Sequence, residues 1–213
     1  MVVGILGLTM ALGFSGCQSE NQKNQDAYRK IGINSMAEGD YDKAVKSFQK
    51  ALDTSLGKIG AEEIDICYYK AAAQFAKKDY DGAIETYTSL IDYDKENANA
   101  YYLRGSVYLD TDKKDKAFKD YKNAVKYAGR EYEIYEGIYE NLTNKGETEE
   151  AKNYLKKALD IKPKDGADYA EQGHVYYLLE DYTQAKSSLD RAIDKDDKTA
   201  LLYLAEVYNA TDQ

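Results

Sequence analysis

The sequence predicts an all-α solenoid of about five helix pairs and one closing helix, and three observations carry that prediction. Ala83, Ala117, Ala151 and Ala185 stand 34 residues apart without a slip, the spacing of a stacked repeat. Around each of them, apolar and aromatic positions recur in steps of three and four on both sides of a break, as amphipathic helices require. The breaks themselves are short and polar, with residues suited to ending one helix and capping the next.

Each pair follows the same plan. The first has Tyr28, Gly32 and Ser35 on its leading helix, breaks at Glu38-Gly39-Asp40, and continues with Ala44, Phe48 and Ala51. The second carries Cys67, Ala71 and Gln74, breaks at Lys78-Asp79, and continues with Ala83, Tyr87 and Leu90. Tyr101, Gly105 and Tyr108 lead the third, followed by Ala117, Tyr121 and Ala124. In the fourth, Tyr135, Tyr139 and Leu142 precede Lys145-Gly146 and then Ala151, Leu155 and Ala158. Tyr169, Gly173 and Tyr176 open the fifth, which breaks at Glu180-Asp181 and continues with Ala185, Leu189 and Ala192. A last helix from Leu201 to Asn209 is either a cap on the stack or a sign of truncation. A small residue one turn after a large one lets a neighbouring backbone approach, so large is expected to meet small in every pair.

These positions resemble the tetratricopeptide repeat, whose signature is an aromatic, a Leu-Gly pair, a Tyr, an Ala, a Phe or Tyr, an Ala and a Pro. Its proline survives here once, as Pro163. The resemblance covers about residues 26 to 209 and implies a right-handed superhelix of helix-turn-helix units. Two departures carry structural expectations. Ala44 and Ala83 are 39 apart, which predicts a longer connection near Thr54 to Gly60. Tyr139 fills a place that should be small, which predicts looser packing or a bend in the fourth unit.

The first 25 residues read differently. Val2 to Phe14 is an apolar run too short for a typical membrane-spanning helix and suited to a secretory signal. It ends in Phe14-Ser15-Gly16-Cys17, which resembles the lipobox of bacterial lipoproteins. That resemblance implies cleavage after residue 16, acylation of Cys17 as the new N-terminus, and anchoring in an extracytoplasmic bacterial membrane or envelope. The organisation expected is thus 1–16 signal peptide, 17–25 lipidated cysteine and polar linker, and 26–213 solenoid. No Lys or Arg precedes the apolar run, which points to a start upstream of Met1 or a clipped fragment. A cytosolic protein with an apolar N-terminal helix is the alternative.

Charge and residue inventory narrow the function. The net charge is −9, and none of it comes from Met1 to Gly16, so the solenoid is acidic. Nucleic acid as a partner is set aside, because phosphate contacts demand a basic stripe. With Cys17 committed to lipid, Cys67 has no disulfide partner and is expected as a small buried apolar residue. His174 is the single histidine, and neither a zinc-type spacing nor a phosphate loop nor a nucleophile elbow occurs, so no catalytic residue, metal or cofactor is expected. Asp92 to Glu96 begins like a calcium loop but has no glycine at its sixth place and Leu103 at its twelfth, so it is expected as a turn, as is Asp194 to Asp197.

The family resemblance implies a concave groove lined by the first helix of each pair, at positions one, five and eight after the signature aromatic. Here these are Arg29, Ile33 and Met36; Tyr68, Ala72 and Phe75; Tyr102, Ser106 and Leu109; Glu136, Glu140 and Thr143; and Ala170, His174 and Tyr177. Family members that clamp the acidic tails of heat-shock chaperones carry Lys, Asn and Arg there, and this chain does not. Glu136 and Glu140, with Glu133 at the edge, suit a peptide or protein partner presenting Lys or Arg, and Tyr68, Phe75, Tyr102 and Tyr177 suit apolar or aromatic contacts. His174 would contact ligand or sense pH in that groove. The expected function is a membrane-anchored protein-interaction scaffold. The alternatives are a solute- or glycan-binding lipoprotein that uses the tyrosines for stacking, and an accessory factor in envelope or pilus assembly.

Overall fold

The computed structural model describes residues 20–55, 57 and 59–211. The expected signal peptide and Cys17 lie outside the described residues. Eleven α-helices and no strand occur among the described residues. In pairs, they are α1 (Glu20–Ala37) with α2 (Tyr41–Thr54), α3 (Ala61–Ala76) with α4 (Tyr80–Tyr93), and α5 (Ala98–Asp110) with α6 (Lys114–Tyr127). Then follow α7 (Tyr132–Asn144) with α8 (Thr148–Ala158), α9 (Gly166–Leu178) with α10 (Tyr182–Ile193), and the closing α11 (Thr199–Ala210). The architecture is the expected α-solenoid of five repeats plus a helix. The chain divides between Ile66 and Cys67 into two compact units.

In the N-terminal unit, Phe48 of α2 is wholly buried beneath Gly32 of α1. A Cβ at Gly32 would come within 2.5 Å of the Phe48 ring, so the small residue is required by the close helix approach. The polar stretch expected as a linker up to residue 25 is helical from Glu20 onward. Gln25 is buried, and its side-chain amide donates to Glu63 Oε1 at 2.7 Å, which ties α1 to the start of α3.

The C-terminal unit repeats the same packing. Ala83, Ala117, Ala151 and Ala185 are all fully buried, and so are Tyr121, Leu155 and Leu189 one turn later. A Cβ at Gly105 would meet the Tyr121 ring at 2.8 Å, and one at Gly173 would meet Leu189 at 2.6 Å. Large side chains thus fill the space that small ones leave, each contributing on the order of 1.5–3 kcal/mol through burial. Tyr139, the oversized member of the series, is half-buried and packs against the core, while Leu142, Ala151 and Leu155 around it remain fully buried. The core of the fourth repeat is therefore closed rather than loose.

One turn geometry recurs at all five breaks within pairs. Gly39, Lys78, Asp112, Gly146 and Glu180 have φ between 57° and 82°, the left-handed conformation that ends a helix. The amide of the next residue then reaches back to a carbonyl in the last turn, from Asp40 to Ser35, Asp79 to Gln74, Lys113 to Tyr108, Glu147 to Leu142 and Asp181 to Tyr176, at 2.8–2.9 Å. Asp40, Asp79 and Asp181 cap the second helix by accepting from the amides of Lys43, Gly82 and Gln184. Only two of the five positive-φ sites are glycine, so the remaining three carry a conformational cost.

The five extra residues between the first two repeats are shared between loop and helix. The connection 55–60 exceeds the 94–97 connection by two residues, and α3, at 16 residues, exceeds α5, at 13, by three. Pro163 sits in the 159–165 connection, after an α8 of only 11 residues. Cys67, expected to be buried, is half-buried, as are Tyr28, Tyr101 and Tyr169 at the equivalent positions.

Candidate functional site

The predicted groove residues lie on the leading helices; Leu109 and Ala170 among them are buried in the core, and the polar and aromatic ones fall into two groups. Those toward the N-terminal end are used internally. Arg29 Nε donates to Asp65 Oδ2 at 2.8 Å, an ion pair between α1 and the start of α3. Tyr68 Oη donates to Asn97 Oδ1 at 2.6 Å, and the same oxygen accepts the Ala100 amide at 2.9 Å to cap α5. Burial is the main cause that pushes the Tyr68 hydroxyl up to about 12. Phe75 meets Tyr80 edge to face, with ring centroids 5.6 Å apart.

Tyr102 lies against Gly137 of α7, where a Cβ would stand 2.3 Å from its hydroxyl oxygen. Its ring is also tilted against Tyr121 at 6.4 Å. Asn141 Nδ2 donates to Ser106 Oγ at 2.9 Å in the same network, which holds α5 to α7. These aromatic and polar positions pack one repeat on the next.

The second group lies on α7, α9 and α11. His174 Nδ1 is 3.0 Å from Glu136 Oε1, and its Nε2 is 3.9 Å from Glu206 Oε2. The imidazole is stacked on Tyr203 at 4.3 Å with planes 10° apart, and on Tyr177 at 6.0 Å with planes 16° apart. Tyr177 further contacts Tyr182 at 6.1 Å. Glu171, one turn before His174, has a carboxylate oxygen within 4.8 Å of the Glu136 and His174 ligand atoms, and Tyr203 hydrogen-bonds to it. Glu140 and Glu133 are exposed beside this cluster.

Electrostatics follow from the crowding. Burial, together with the charges of Glu136 and Glu133, pushes the Glu171 carboxyl up to about 7, against the pull of His174 and Tyr203. Burial opposes protonation of His174, but the Glu136 hydrogen bond and the charges of Glu136, Glu206 and Glu171 outweigh it and raise the pKa. Burial, then the charges of Glu171, Glu136 and Glu206, raise Tyr203 as well. Among the described residues, no Lys or Arg forms an ion pair with Glu133, Glu136, Glu140, Glu171 or Glu206.

Three members of this cluster were not among the predicted positions: Glu171, Tyr203 and Glu206. Glu171 falls two places after the signature aromatic Tyr169, outside the one, five and eight pattern. The i, i+3 spacings of Glu171 with His174 and of Tyr203 with Glu206 are the signals that place them on shared helix faces. The Asp92 to Glu96 stretch is the last turn of α4 and the turn after it, in which Lys95 Nζ pairs with Asp92 at 2.7 Å and Asp94 accepts the Glu96 amide at 2.9 Å. Asp197 likewise caps the start of α11 by accepting from the Thr199 amide at 2.8 Å.

Comparison with known proteins agrees with this architecture. The family described as tetratricopeptide repeat matches residues 26–55, 98–130, 140–165 and 169–198, and a TPR repeat family matches 71–112. Anaphase-promoting complex subunit 3 of Schizosaccharomyces pombe is 21% identical over 88% of this chain and 33% of its own length. Human tetratricopeptide repeat protein 13 is 27% identical over 67% of this chain and 17% of its own length. The chain thus spans a third or less of these curated relatives. A solved thermophilic TPR protein of Thermus thermophilus superposes with a TM-score of 0.51 at 17% identity, over 86% of this chain and 98% of that one. MamA protein gives 0.52 at 22% identity, over 89% and 95%. The pilF protein of Pseudomonas aeruginosa gives 0.52 at 17% identity, over 91% and 87%.

Proposed function

The chain belongs to the tetratricopeptide repeat family, whose members serve in general as protein-interaction scaffolds rather than enzymes, and we propose that it takes a basic peptide or protein segment on the leading helices of its C-terminal repeats. The observation that carries this reading is the acidic face of α7, α9 and α11. Glu133, Glu136, Glu140, Glu171 and Glu206 gather there without a Lys or Arg partner among the described residues. Surplus like charge costs stability, and a cationic ligand relieves it while also speeding encounter. The tyrosines at the N-terminal end of the predicted groove favour a peptide over a glycan, since Tyr68 and Tyr102 are engaged by Asn97 and Gly137 instead of offering open faces.

We propose further that the protein is tethered outside the cytoplasm. In this reading residues 1–16 are a cleaved signal peptide and Cys17 carries the acyl chains. At ~0.8 kcal/mol per buried CH₂, two or more chains anchor stably where one is marginal. The solenoid then stands just off the membrane, and the net charge of −9 leaves the lipid to do the anchoring. Palmitate labelling tests the tether, with incorporation expected in the native chain and lost in Cys17→Ser. Equal labelling of both would remove this part of the proposal and leave the acidic face untouched.

A further inference from the structure

Glu136 and His174 meet at 3.0 Å with a Glu171 carboxylate oxygen within 4.8 Å of both, and imidazole and carboxylate together are donors that suit a metal ion. We propose that Glu136, Glu171 and His174 bind one first-row divalent cation, with Zn²⁺ as the reference ion, where α7 meets α9. This goes beyond the peptide reading and stands without it.

The geometry supports the assignment in three ways. One ligand atom from each of the three residues lies within 4.8 Å of the other two. The Glu136 Oε1 to His174 Nδ1 distance of 3.0 Å is close to the roughly 3.3 Å between two ligands on a tetrahedral ion with bonds of about 2.0–2.1 Å. Glu171 and His174 sit at i and i+3 on α9, so one helical face delivers two ligands while α7 delivers the third.

A metal-bound histidine needs its second ring nitrogen oriented, and a ligating carboxylate needs a donor. The Tyr203 hydroxyl bonds to Glu171, and Glu206 of α11 faces His174 Nε2 at 3.9 Å, a separation that a small side-chain movement would close to a hydrogen bond. The stacking of Tyr203 and Tyr177 on the imidazole restricts the ring's rotation. Glu136 and His174 side chains are only 15% and 19% exposed, and clustering ionised carboxylates at that depth without a cation is unfavourable. Mixed imidazole and carboxylate donors select Zn²⁺ and its neighbours over Ca²⁺ and Mg²⁺.

His174 is the sole histidine, so its ring nitrogens report on this site without ambiguity. The test is to strip the full chain with a chelator and titrate it with Zn²⁺, following heat and the imidazole ¹⁵N signals. The expected result is one ion per chain, a shift of the Nδ1 resonance with Nε2 still protonated, and affinity at least ~10-fold weaker in Glu171→Gln and His174→Ala. Circular dichroism checks that each variant is folded, and should His174→Ala unfold, Glu171→Gln and the native ring signals decide. Equal affinity in native and variant chains, an unmoved imidazole, or no binding up to about 100 μM Zn²⁺ overturns the proposal.

Discussion

The repeat formed by α5 and α6 and the face formed by α7, α9 and α11 handle charge in opposite ways. In the former, Asp120 is almost wholly buried and takes a bidentate grip on Arg104, Nε to Oδ2 at 2.7 Å and Nη2 to Oδ1 at 2.9 Å, while Arg104 Nη1 reaches Thr88 Oγ1 at 2.9 Å. The buried charges there have their counterparts within the chain, and the result is a fixed helix pair. In the latter, Glu136, Glu171 and Glu206 share one histidine. The difference separates what the fold needs from what it leaves available to a ligand.

The largest expected effect breaks the paired side. Asp120→Ala strands the Arg104 guanidinium and should cost about 3–5 kcal/mol in urea unfolding, the range for removing one partner of a buried ion pair. Gly105→Leu attacks the same repeat through packing, since even a Cβ meets Tyr121 at 2.8 Å, and about 1–3 kcal/mol of destabilisation is expected from its thermal midpoint. On the unpaired side, Glu140→Gln should leave stability within about 0.5 kcal/mol of the native chain, because the side chain is exposed and bonded to nothing that the fold depends on. A large loss for Glu140→Gln, or none for Asp120→Ala, would erase the distinction.

Smaller effects sharpen it. Lys78 is exposed at φ 68°, so Lys78→Gly should raise stability by up to ~1 kcal/mol, as the glycine already present at the equivalent Gly39 and Gly146 suggests. The N-terminal unit has its own surplus of negative charge. Burial, a hydrogen bond with Asp26, and the charges of Asp26 and Glu63 push Glu62 from its ordinary 4.5 up to about 7. The folded state therefore holds a proton that the unfolded chain has released between these values, so this contribution is present below pH 4.5 and is lost as pH rises through 7. Glu62→Gln should flatten that fall in a pH series of unfolding curves, by well under ~1 kcal/mol given the solvent exposure of the group.

Much of the solenoid is legible in the sequence because its rule is local and repeated. Ala83, Tyr121 and Leu189 announce their burial through spacing alone, and Gly32, Gly105 and Gly173 announce the close approach opposite them. The uniform turn is less visible, since Lys78, Asp112 and Glu180 are not residues that advertise a left-handed conformation. The site is legible only in part. Glu136, Glu140, His174 and Tyr177 are reached through the repeat register, but Tyr68 and Arg29 from the same register serve internal bonds with Asn97 and Asp65. Which of these a residue does depends on what the neighbouring repeat places opposite it. Glu171 and Glu206 escape for a related reason: the register names one stripe per helix, and the cluster is assembled from adjacent stripes on three helices.

The most direct test measures binding of an Arg- and Lys-rich peptide to the full chain by fluorescence anisotropy, comparing the native protein with Glu136→Lys/Glu140→Lys. Saturable binding that weakens with salt, and falls at least ~10-fold in the double variant while its helical signal is retained, is the expected result. Equal affinity in both proteins, or binding in the variant alone, would contradict an acidic face built for a cationic partner.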